Sequence, residues 1–118
     1  MRAIARLALL SCLLVANVAQ AQYLNTLATS PLTRFSEADN KLFMAAIDKA
    51  LADSADGVPL AWKNEATPAA GVLTPEKTYT SAGMKCRDLL IANSYKTLKS
   101  EAVHTFCLNS AGQWKLLQ

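Results

Sequence analysis

The chain has 118 residues, 52% of them hydrophobic and 18% charged, with one histidine and three cysteines. That length holds one domain and excludes a (β/α)8 barrel or a full dinucleotide-binding fold. The formal charge of +3 does not mark a nucleic-acid binder, because two of the cations sit in the first six residues.

Residues 1–21 read as an export signal. Arg2 and Arg6 lead an apolar run over residues 7–16, and Ala19-Gln20-Ala21 supplies the small-x-small pattern that a signal peptidase accepts. Cleavage is expected between Ala21 and Gln22. The run is shorter than the ~20 residues of a membrane-spanning helix. Leu9-Leu10-Ser11-Cys12 has the form of a lipidation box, but Arg6 lies close before it and the apolar run continues past Cys12, so plain export is expected. Removing the signal leaves ten basic and nine acidic residues, a charge of +1. It also leaves two cysteines, Cys86 and Cys107, an even pair expected to oxidise in an exported protein.

Residues 22–35 show no sustained period and read as a flexible lead-in to a domain over residues 36–118. Ser36-Glu37-Ala38-Asp39 has the spacing of a capping box, with Phe35 placed as a staple residue before it. From residue 37 to about 54 the apolar positions Leu42, Phe43, Ala46, Ile47, Ala50 and Leu51 recur on one helix face. Glu37 and Lys41 stand one turn apart as a possible ion pair. Asp56-Gly57 and Pro59 end the helix.

Beyond Pro59 the chain breaks into short extended runs separated by turn residues. Strands are expected over residues 60–63, 71–74, 77–80, 85–93, 101–108 and 113–117, with Pro75 a bend, bulge or edge between the second and third. The fold class is therefore α+β: one N-terminal amphipathic helix on a small antiparallel sheet of four to five strands. If Lys96-Thr97 is a two-residue hairpin tip, opposed residues have numbers summing to 193. Cys86 and Cys107 then face each other and can form one disulfide.

Trp62-x-Asn64, Gly71-x-x-Thr74-Pro75, Thr78-Tyr79, Gly83, Cys86-Arg87, Cys107 and Gly112-x-Trp114 occur in that order. The set resembles the C-terminal domain of the bacterial surface-antigen family named for its seventeen-kilodalton rickettsial member, over about residues 36–117. The resemblance implies a Gram-negative envelope protein, periplasmic or associated with the outer membrane, with no catalytic residue or cofactor to transfer. This chain departs from the family in lacking a glycine-rich hydrophobic segment, in its Tyr95-Lys96-Thr97-Leu98 hairpin, and in having Leu108 rather than arginine after Cys107.

Little else in the chain points to chemistry. His104 is the only histidine, which excludes a three-histidine zinc site. Its spacing from Cys107 on a strand sends the two side chains to opposite faces, so a Cys/His nucleophile is not expected. There is no phosphate loop, nucleophile elbow or C-x-x-C. Asp48, Asp53 and Asp56 are expected to solvate a helix rather than bind calcium. Arg87 is expected in a surface or cross-strand ion pair. Trp62, Trp114, Tyr79 and Phe106 are expected to be half-buried sheet aromatics rather than a ligand groove. The expectation is a non-enzymatic envelope module with no cofactor, metal or nucleic-acid partner and at most peripheral membrane association. Its partner is an envelope protein or glycan; the alternative is a periplasmic binding or inhibitor module that uses the exposed part of the sheet or an edge strand to hold a protein or glycan.

Overall fold

Ser36 opens the one long helix. In the computed structural model, which describes residues 30–117, its hydroxyl accepts the Asp39 N–H and the Asp39 carboxylate accepts the Ser36 N–H, a complete capping box for helix α1, Glu37–Asp53. Phe43, Ala46, Ile47, Ala50 and Leu51 form the buried stripe. Leu42, placed on that stripe by its spacing, is instead 42% exposed at the stripe's margin. The ion pairs of the described residues are Lys63–Glu65 and Arg87–Asp56, so the Glu37–Lys41 pair is not made. Ser54 leaves the helix in an extended conformation, and Gly57, at φ 83°, turns the chain towards the sheet.

The last residues of the expected lead-in are ordered against the domain. Pro31–Arg34 is a 3-10 turn capped by Ser30, and Pro31 is buried. Phe35 then packs edge-on against Phe43, 6.2 Å away, and Trp62, 5.4 Å away. The staple thus closes on the second helical turn and on the sheet together.

Five antiparallel strands follow in a simple meander, β1 Leu60–Lys63, β2 Ala69–Ser81, β3 Met84–Tyr95, β4 Leu98–Leu108 and β5 Trp114–Leu116. The two runs expected on either side of Pro75 are one strand, β2, with its register shifted between Pro75 and Lys77. Proline is tolerated there because β1 stops opposite Leu73, leaving that edge open. The Pro75 carbonyl accepts the Gly57 N–H at 2.6 Å. The β2–β3 tip puts Ala82 at φ 49° and Gly83 at φ 77°, the paired left-handed conformations of a type I′ turn.

Lys96-Thr97 is a two-residue tip, Tyr95 opposes Leu98, and Cys86 opposes Cys107. The cysteines form the expected disulfide, with their Cα atoms 4.1 Å apart. Strand alternation places Trp62, Leu73, Leu89, Ile91 and Phe106 on one face with α1, where they make the core with its buried stripe. The disulfide lies on the other face.

Candidate functional site

Two charged side chains hold α1 on the sheet, one at each end. Asp39 is 1% exposed. Besides its capping bond it accepts from Asn64 Nδ2 at 2.8 Å and from Thr67 Oγ1 at 2.6 Å, both in the β1–β2 turn. The Thr67 hydroxyl does most to lower its pKa; the Ser36 amide and Asn64 add to this against the opposing cost of burial, and the carboxyl falls to about 2.

Arg87 does the same work at the helix C-terminus. It was expected at the surface or in a cross-strand pair, yet it is 5% exposed. The five donors of a guanidinium meet five acceptors here. Nη1 donates to Leu51 O at 2.7 Å and Ala50 O at 3.3 Å, Nη2 to Ser54 O and Asp56 Oδ1 at 2.8 Å each, and Nε to Thr78 Oγ1 at 2.9 Å. These carbonyls belong to the last helical turn and its cap; Ala50 O also accepts the Ser54 N–H, while Leu51 O and Ser54 O lie where intrahelical donors run out. A carboxylate at the N-terminus and a guanidinium at the C-terminus both match the helix dipole. The Arg87 guanidinium, with the Thr78 hydroxyl behind it, holds the Asp56 carboxyl below the usual range.

The other residues singled out by sequence do not gather into a reactive centre. His104 opposes Leu89 on the helix-side face and is exposed, while Cys107 faces the other way. Asp48 and Asp53 are exposed on α1 and Asp56 belongs to Arg87; among the described residues no three His, Cys, Asp or Glu side chains converge as metal ligands would. Trp62 and Phe106 are core and Trp114 packs against it. Tyr79 lies on the opposite face, its hydroxyl donating to Asp88 at 2.9 Å, so the four aromatics share no groove. Every buried side-chain nitrogen and oxygen of the described residues has a partner. Cys12 and the expected cleavage between Ala21 and Gln22 lie outside the described residues.

The concave surface lies on the sheet face away from α1. A cavity of about 730 Å³ there crosses four strands. Its floor is the cross-strand row Ala61, Val72, Ala92, and its rim carries Lys63, Lys99 and Glu101. Small side chains keep the floor shallow, and Val72 is 41% exposed. Beneath it the Trp62 indole reaches over Gly71 and donates to Asn93 Oδ1 at 3.2 Å. A Cβ on Gly71 would overlap both of those side chains and approach the Ala92 carbonyl to 2.8 Å. Sequence reading offered the exposed part of the sheet as a binding surface only for the alternative module and did not place these residues on it. The signal for them was alternation: Ala61, Val72 and Ala92 are each one residue away from a buried partner on the core side.

The family model described as 17 kDa outer membrane surface antigen matches residues 49–115, more than half of the chain. The chain belongs to this family. Membership is consistent with a place in the cell envelope. The match opens in the last turns of α1 and takes in the first four strands and most of β5, both cysteines, Arg87 and its acceptors, and the Trp62–Gly71–Asn93 row. It starts thirteen residues later than the resemblance drawn from the sequence, so Asp39 and the capping box lie outside it. Comparison with curated proteins and with solved structures returned no significant match. No helix among the described residues is long and apolar enough to cross a membrane.

Proposed function

We propose that this surface antigen is a non-enzymatic module of the periplasm, with the outer membrane or cell surface as the alternative location, binding another envelope component through its open sheet face. The observation that carries the reading is the division of labour between the two faces. On the helix side Asp39 and Arg87 are consumed in fastening α1. The other face offers a broad concave floor of short side chains with Lys63, Lys99 and Glu101 at its rim, the combination of apolar contact and polar border that binding surfaces use. A protein partner presenting an apolar ridge with charged flanks of both signs fits it.

Photo-crosslinking in living cells tests this. A crosslinking amino acid at Val72, on the open face, is expected to capture one envelope component in high yield, and one at Lys49, on the exposed side of α1, is not. Equal capture from both positions, or capture from Lys49 alone, would remove the open face from consideration. Capture of a soluble periplasmic protein or a glycan from Val72 would keep the face and identify a binding or inhibitor module.

A further inference from the structure

Strand β5 covers β4 only at Phe106, Cys107 and Leu108. The Leu117 N–H extends that cover by one bond, to the Thr105 carbonyl at 2.8 Å. Among the described residues no strand lies beside the outer edge of β4 from residue 98 to 104.

The phase of this edge follows from the disulfide pair. Cα atoms 4.1 Å apart mark Cys86 and Cys107 as a non-hydrogen-bonded pair, so odd-numbered residues of β4 turn their N–H and C=O away from β3. The Thr105–Leu117 bond has that phase. Lys99, Glu101 and Val103 therefore present backbone groups that no strand among the described residues pairs, a template for a further strand.

We infer that this edge pairs with the same edge of a second copy, antiparallel, about a two-fold axis at Ser100. A two-fold axis perpendicular to the sheet keeps like faces together, so only registers whose opposed residues sum to an even number are possible. A sum of 198 sets Lys99 against Lys99, and a sum of 202 sets Glu101 against Glu101. A sum of 204 sets Lys99 against Thr105, whose outward carbonyl Leu117 already holds. The sum of 200 opposes Lys99 to Glu101 twice and Leu98 to Ala102, with Ser100 meeting its own copy. It forms about four new main-chain hydrogen bonds and places the two open faces on the same side of one continuous sheet. The contact is small, below the roughly 1,200 Å² of a standard interface, so association is weak, concentration-dependent and weakened by salt. The inference does not depend on what the open face binds.

Sedimentation equilibrium across a concentration series, on the protein purified with its disulfide intact, tests it. The parent is expected to shift from monomer to dimer. Lys99→Glu and Glu101→Lys alone each oppose like charges at both pairs and should raise the dissociation constant about tenfold. An equimolar mixture of the two single variants restores two unlike pairs and should associate at least as tightly as the parent. Ser100→Cys supplies a second reading: its non-hydrogen-bonded position at the axis should give a covalent dimer on mild oxidation, as the Cys86–Cys107 geometry does within the sheet. A parent that stays monomeric throughout, or single variants that dimerise as well as the parent, would overturn the inference. So would a mixture no tighter than its components.

Discussion

Asp39 shows how much one carboxylate can carry when it is nearly enclosed by donors. It caps α1 through Ser36 and receives Asn64 and Thr67 from the β1–β2 turn, so the helix entry and the first hairpin share one acceptor. Its folded pKa of about 2 lies below the ordinary 3.8, so the unfolded chain takes up the proton first as pH falls. The stabilisation is complete above about 3.8 and disappears on acidification through about 2. Urea midpoints measured between pH 5 and pH 2 should fall steeply for the parent. Asp39→Asn should start lower and vary less over that range; an equal slope in the two proteins would show that other groups carry the acid sensitivity.

Gly71 makes a different kind of demand. Its φ is ordinary, and the requirement is space, because the Trp62 indole crosses it to reach Asn93. Gly71→Ala should cost about 2 kcal/mol as an overpacking change and shift Trp62 fluorescence, read by thermal melts and emission spectra. An unperturbed melt would mean that the indole has room the geometry denies it.

Among the elements, the helix and the cross-strand bridge depend on neighbouring residues, Arg87 and Cys86, with alternate strand faces between them. Arg87→Ala takes the guanidinium donors from Leu51 O and Ser54 O and the cation from Asp56, an expected loss of about 3 kcal/mol in denaturant titration. Arg87→Lys should recover only a minor part, since a point ammonium cannot meet acceptors spread over a planar fork; full recovery would reduce Arg87 to a simple charge. Cys86→Ser and Cys107→Ser break the same bond, whose loop spans 21 residues. Both should lose about 3 kcal/mol and match the reduced parent, and unequal losses would point to a role for one cysteine beyond the bridge.

These elements were legible in the sequence to different degrees. The capping box, the 3.6-residue period of α1 and the summed register of Cys86 and Cys107 are local signals, and each maps directly onto the structure. The burial of Arg87 was not read because a charged residue in a strand is normally solvated. The signal was nevertheless present: Arg87 has the parity of Leu89 and Ile91 and not of Cys86, which places it on the core face. Asn64 and Thr67 gave no warning, because their acceptor lies 25 and 28 residues earlier in the chain. The open face was hidden for a third reason. Val72, Leu90 and Val103 are apolar residues on the solvent side, so the alternation that separates core from surface was blurred where the candidate site lies.

At the scale of the molecule, the described residues form a sheet with one face fastened and one face left uncovered by them. The meander of local hairpins has two faces, and α1 covers the one carrying Trp62, Leu73 and Leu89. The polar groups that would suggest chemistry, Asp39, Asp56 and Arg87, become structural fastenings. On the proposed function the molecule acts by contact, and family membership is consistent with a place in the cell envelope. Lysines happen to mark both sides: Lys63 and Lys99 border the open face, while Lys41 and Lys49 lie exposed on α1. Amine labelling of intact envelopes, compared with the purified protein by peptide mass spectrometry, reads the two sides in one sample. Lys63 and Lys99 should be protected in the envelope while Lys41 and Lys49 label freely; protection confined to Lys41 and Lys49 would contradict the assignment of the open face as the working surface.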